Sequence, residues 1–198
     1  YAFYYLGETS EAIALFKRHQ LIAVSLDDEA KIGMFYAWLG IAHFMGGKSK
    51  DAYDYLIQSL ELGEKTGNQK VIGYACTWLT WACSELGLFT EGIGFGEKAQ
   101  KIAPAFPSDP YLFFKSLGGI CLINYYKGDV NKVLKGAKCL LDYGERTANS
   151  RSKVFGHWMN GMAYMALGDM ESGQQKCEKA IEVALDPAYP EFPKVSLG

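Results

Sequence analysis

An all-α array of paired antiparallel helices is what this sequence predicts, and three observations predict it. A landmark glycine stands at Gly7, Gly47, Gly87, Gly128 and Gly168, at intervals of 40, 40, 41 and 40 residues. Periods of 20 to 50 residues mark stacked arrays. The flanks repeat with it: long apolar segments precede the glycine (WLGIAHFMGG, WLTWACSELG, GICLINYYKG, NGMAYMALG) and amphipathic ones such as KSKDAYDYL follow it. Apolar and small residues then recur at three and four, as in Ala52, Tyr55, Leu56, Ser59, Leu60 and Leu62, which is helical spacing. No alternating run rich in Val, Ile and Thr competes with that reading.

Taken in order, the elements break near 7, 27, 47, 67, 88, 108, 128, 148, 168 and 188. One array therefore fills the chain as five repeats over 1–27, 28–67, 68–108, 109–148 and 149–188, with a further helix opening at 189–198. Five residues after each landmark stands Ala12, Ala52, Gly92, Val133 or Gly173, mostly small, as a close helix contact requires. Ser49, Asp51 and Thr90 sit where N-caps or first-turn acids belong. GEKTGN (63–68) returns as GERTAN (144–149), and PAFP (104–107) as PAYP (187–190), so the links alternate as though a two-repeat unit had been duplicated. Each proline cluster reads as a helix stop and link, or as a PxxP ligand. The glycines of GIGFGEKAQK (92–101) lack phosphate-loop spacing and fall inside a helical pattern, where they give clearance to Trp78, Trp81 or Phe89. Both chain ends fall inside repeats, which reads as an excerpt from a longer array whose uncapped ends favour self-association.

Composition narrows the function. Twenty Lys and Arg stand against 22 Asp and Glu, a net charge of -2 with a pI near 6.0, so no basic field draws in nucleic acid. The longest apolar stretch, Tyr111 to Tyr126, is interrupted by Lys115 and Ser116 and falls short of a membrane span. Cys76, Cys83, Cys121, Cys139 and Cys177 form no CxxC pair. They read as reduced cysteines of a cytoplasmic protein with no metal or other cofactor. Among the histidines, His19 reads as solvated beside Lys17 and Arg18, His43 as a core residue, and His157 as the one to watch. With no HExxH, GxSxG or paired-carboxylate motif, the expectation is a chain that is not an enzyme.

The repeats resemble the tetratricopeptide family. Ala12 and Phe16 fit the first unit; Trp38, Leu39, Gly40, Gly47, Ala52 and Leu56 the second; Leu79, Gly87, Ala99 and Pro104 the third; Gly161, Tyr164, Gly168 and Ala180 the fifth. The period of 40 exceeds the family's usual value of about 34, and His43, Cys83 and Asn124 stand where an aromatic is common. The resemblance implies a right-handed superhelical solenoid whose first helices line a concave groove. Carrying over positions 13, 10, 6, 3 and 2 residues before each landmark gives Tyr1, Tyr4 and Tyr5 in the first unit, then Met34, Ala37, Ile41, Phe44 and Met45 in the second. The third unit gives Tyr74, Thr77, Trp81, Ser84 and Glu85; the fourth gives Lys115, Gly118, Leu122, Tyr125 and Tyr126; the fifth gives Phe155, Trp158, Met162, Met165 and Ala166, so that only Glu85 and Lys115 are charged.

So apolar a groove suits a helix or extended segment of a protein partner, with Trp81, Tyr125 and Trp158 as anchors. The competing reading turns these side chains into the core. The implied function is a non-catalytic protein-interaction scaffold. The alternative is a regulatory or sensor segment of a larger signalling enzyme, ATPase-like or cyclase-like, whose groove takes another part of the same polypeptide or a small effector. Long repeats with EKTGN-like links resemble such bacterial proteins.

Overall fold

A computed structural model describes residues 8–25 and 27–186. Gly7, Tyr1, Tyr4, Tyr5 and the helix expected at 189–198 lie outside the described residues. Within them the chain is helical throughout, with no strand: α1 (Thr9–Val24), α2 (Glu29–Met45), α3 (Ser49–Thr66), α4 (Gln69–Leu86), α5 (Phe89–Ile102), a 3-10 turn (Ala103–Ala105), α6 (Tyr111–Tyr126), α7 (Val130–Thr147), α8 (Ser150–Ala166) and α9 (Met170–Leu185). Among the described residues the helices break near 27, 47, 67, 88, 108, 128, 148 and 168, as expected, while the breaks near 7 and 188 and the PAYP cluster lie outside them.

Backbone conformation explains the landmark glycines. Gly47, Gly87, Gly128 and Gly168 close the first helix of each pair at φ 71°, 74°, 74° and 85°, the left-handed region that a Cβ disfavours. Gly67 ends α3 the same way at φ 68°, whereas its counterpart in the duplicated link is Ala148, at φ 52°. Several of the following helices start on side-chain caps. Asp28 accepts from the Lys31 amide, Asn68 from Val71, Asn149 from Ser152 and Asp169 from Ser172. Ser49 is already helical and its predecessor Lys48 makes no side-chain cap, so only Asp51 acts in α3 as expected, as a first-turn acid. Thr90 likewise lies inside α5, whose N-cap position is taken by Leu88.

The chain divides between Leu112 and Phe113 into two compact units. In the first, each helix from α1 to α5 packs on the next, and α2 also touches α4. Gly33 lies opposite Leu62, and Gly40 opposite Leu56 and Ala52, so α2 and α3 run antiparallel. A Cβ added at Gly40 would sit 2.7 Å from Leu56 Cγ and 3.1 Å from the Ala52 carbonyl. This is the close approach for which the small residue after the landmark is needed. The 3-10 turn follows α5 directly; Phe106 donates to the Ala103 carbonyl at 3.0 Å and Asp109 to Phe106 at 2.9 Å. PAFP is therefore a folded link, not an extended proline-rich ligand.

In the second unit α7 packs on α8 and α8 on α9. Gly161 and Gly173 face each other across the α8–α9 pair; a Cβ at Gly161 would meet the Gly173 carbonyl at 3.0 Å, and one at Gly173 the Gly161 carbonyl at 3.1 Å. The α6–α7 pair is built differently. Cys121 and Val133 replace small residues, and Gly136, one turn on, leaves no room for a Cβ, which would collide with Cys121 Sγ.

Two glycine-related substitutions should stabilise the fold for different reasons, and a third change should cost. Ala148→Gly should stabilise by about 0.5–1 kcal/mol by relieving a left-handed alanine. Gly94→Ala should stabilise by about 0.5–1 kcal/mol through helix propensity alone. Nothing lies within 4 Å of its Cβ position, so this glycine gives none of the clearance expected of it. Ala52→Leu should cost about 1–3 kcal/mol by overpacking against α2. Denaturant midpoints of the three variants measure all of this, and an unchanged Ala52→Leu midpoint would contradict the α2–α3 register.

Candidate functional site

The first helices are buried far more completely than a groove-lining register implies. On α4 every residue from Val71 to Ser84 is buried. Tyr74 packs between Trp38 of α2, at 5.8 Å between rings, and Tyr111, stacked at 5.6 Å. Its phenol donates to Asp109 at 2.9 Å. Trp78 lies 5.4 Å from the Phe44 ring and 6.4 Å from Tyr111; Trp81 lies 6.4 Å from Phe44. Aromatic rings from successive first helices thus lie against one another.

The expected site residues separate accordingly. Ile41, Tyr74, Trp81 and Leu122 are 1%, 4%, 5% and 7% exposed, and Lys115 is 9% exposed. These five offer a partner almost no surface, and Trp81 is a core residue rather than an exposed anchor. All five stand 13 or 6 residues before a turn glycine, where their large side chains pack back among neighbouring helices. Met34 and Phe44 remain half-buried and Met45 is 40% exposed. In the second unit Tyr125, Phe155, Trp158, Met162 and Met165 are half-buried, while Tyr126 is 50% exposed. Trp158 is part of an α8–α9 cluster with Val154, Ala180, Ala184 and Val183.

Exposed apolar residues stand at the ends of first helices and in the turns after them, and also on the second helices α1 and α9, where Leu15, Leu21, Ile22, Val24, Ile181 and Leu185 are exposed. Met45 ends α2; Tyr125 and Tyr126, with rings 5.9 Å apart, end α6. Leu88 and Leu167 are exposed in the turns and Met170 at the start of α9, and the sequence reading passed over them. Their signal was an apolar residue where a helix start ordinarily carries a polar one: Leu88 is the N-cap of α5 and makes no side-chain cap.

Burial pushes the thiols of Cys76, Cys83 and Cys121 up to about 12, away from the thiolate a nucleophile needs. Burial, with Arg151 nearby, pushes the Lys115 amine down to about 7, and its nitrogen lies 5.0 Å from the Phe155 ring centre. His157 is half-buried, held below the usual histidine value by burial and by Lys176 and Lys179. His43 is buried as expected, with Asp51 at 3.2 Å. Among the described residues no group of three or more His, Cys, Asp or Glu could hold a metal ion, and no helix is long and apolar enough to cross a membrane.

No protein-family model matches the sequence, and no curated protein matches it. Solved structures do. A putative kinesin light chain of Podosopora anserina with nearly identical TPR-like repeats superposes with a TM-score of 0.65 at 18% identity, over 92% of this chain and 90% of that one. A variant of the same protein gives 0.66 at 18% identity, over 92% and 89%. BtubC (BKLC) from P. vanneervenii gives 0.71 at 14% identity, over 89% of this chain and 73% of that one. At such identities the likeness is one of fold, and the fold of this chain is a TPR-like helical repeat of the solenoid class.

Proposed function

We propose that the protein is a non-catalytic interaction scaffold that binds a helix or extended segment of a protein partner. The observation that carries this reading is the aromatic surface that the second unit keeps at the ends of its first helices, with Tyr126 50% exposed and Tyr125 and Met165 half-buried. Such side chains supply contact area while losing little rotamer freedom or adapting readily to a partner. The aromatic interior beneath them belongs to the fold, not to the partner. Trp158 belongs to both: one side rests on Ala180 and Ala184, and the other keeps some exposure.

A panel of amphipathic helical peptides, each with a scrambled control, tests the proposal by calorimetry. A peptide with a continuous apolar stripe should bind and its scramble should not. Tyr126→Ala should weaken that binding by about 1–3 kcal/mol while the melting temperature moves little. Trp81→Ala should instead cost about 3–5 kcal/mol of fold stability. Equal binding of stripe and scramble would overturn the proposed surface. Turnover of a nucleotide or ester, abolished by one point substitution, would overturn the non-catalytic reading.

A further inference from the structure

The helix α5 combines weak local structure with two thiols beneath it. Gly92, Gly94 and Gly96 fall in its first two turns, and each weakens a helix relative to alanine. Its N-cap position is Leu88, which makes no side-chain cap. Of its buried residues Gly92, Gly96, Ala99 and Ile102, only the last two carry a side chain. Two surface bonds tie it to α3: the Tyr53 hydroxyl donates to Glu91 at 2.6 Å, and Lys98 pairs with Glu64. Cys76 and Cys83 of α4 are each 0% exposed. They share one helix face two turns apart, about 10 Å, too far for a disulfide between them. At the turn the Leu88 amide donates to the Cys83 carbonyl, and at the other end a Cβ at Gly73 would meet Ile102 Cγ2 at 3.3 Å. That antiparallel register puts Cys83 level with Glu91 and Gly92, and Cys76 level with Lys98 and Ala99. The equivalent residues one repeat earlier face the second helix of their own pair: the His43 ring lies 5.1 Å from Tyr55, and Tyr36 stacks on Tyr55 at 6.1 Å. Phe95 of α5 holds the place of Tyr55, so both thiols lie under α5.

We propose that α5 is a locally opening cover and that Cys76 and Cys83 beneath it are a disulfide-exchange site for small disulfides, whose adduct holds α5 open. Opening one weak helix takes less free energy than global unfolding. While α5 is seated, burial pushes both thiols up to about 12 and keeps them inert. Opening returns them to water, where an ordinary thiol ionises near about pH 8.5. The thiolate then attacks one sulfur of the disulfide. A new S–S bond joins the cysteine to one half, the other half leaves as a thiolate, and the cysteine proton passes to water. The adduct is too large for positions with no solvent exposure, so α5 cannot reseat over it.

Alkylation of the native full chain by iodoacetamide, read cysteine by cysteine by mass spectrometry, measures the opening. The exposed Cys139 should react at once. Cys76 and Cys83 should react slowly and with little dependence on dilute urea, because local opening exposes little surface. Gly94→Ala, whose methyl meets nothing within 4 Å, should slow both by about 2–5-fold through helix propensity. Tyr53→Phe, which removes the hydroxyl on Glu91, should speed Cys83 by about 2–10-fold. Oxidised glutathione should then thiolate both cysteines and abolish the amide-exchange protection of α5 while α2 keeps its own. With Cys76→Ala and Cys83→Ala together, the same treatment should leave α5 protected. A urea dependence as steep as that of global unfolding would overturn the opening cover, as would unchanged rates in Gly94→Ala or in Tyr53→Phe. Full α5 protection in the thiolated chain would overturn the adduct's hold on it.

Discussion

The close approach of the two helices in each pair is the constraint on which the rest of this structure depends. It needs a missing or short side chain seven residues before the turn glycine or a few residues after it. Gly40 meets Ala52 and Leu56, and Gly161 meets Gly173 and Cys177. In the third repeat Thr80, buried with its hydroxyl on the Cys76 carbonyl, stands in the position of Gly40, and Gly92 stands in that of Ala52. In the fourth, Cys121 and Val133 are both larger, and Gly136 supplies the clearance against Cys121 instead. Interiors packed to crystal-like density tolerate such exchanges only when volume lost at one position is recovered at its neighbour.

That closeness governs the surface. On α4 the large residues have no route to solvent along the middle of the helix, whereas Phe155, Trp158 and Met162 of α8 stay half-buried. Trp38, Phe44, Tyr74, Trp78, Trp81 and Tyr111 pack ring to ring in the first unit. The apolar positions with most solvent contact are those near helix ends, where the turn carries the chain away. Apart from Trp158, the aromatics that hold the helices together are thus distinct from those left at the surface.

Polar groups follow the same division. Asn and Asp caps sit at helix starts, and surface ion pairs such as Lys65 with Glu29 and Lys98 with Glu64 link one helix to another. Being exposed, those pairs contribute little to stability. The polar side chains with large energetic consequences are those taken out of water, Lys115, His43 and the half-buried His157, whose charged forms burial disfavours.

The sequence by itself determined the helices, their ends and their pairing. A glycine at each turn is legible because only a residue without a Cβ adopts that backbone conformation at little cost. Helical spacing of Ala52, Leu56 and Leu60 is legible because it follows from the 3.6-residue turn. Tertiary structure decided which faces of the first helices see solvent. Nothing in the residue types distinguishes Trp81, inside, from Tyr126, half outside, because both are aromatics in the last turns of a first helix and only the neighbouring helices differ. The same holds for Lys115. A lysine in a sequence reads as a surface charge, and only the packing around α6 shows it taken out of water.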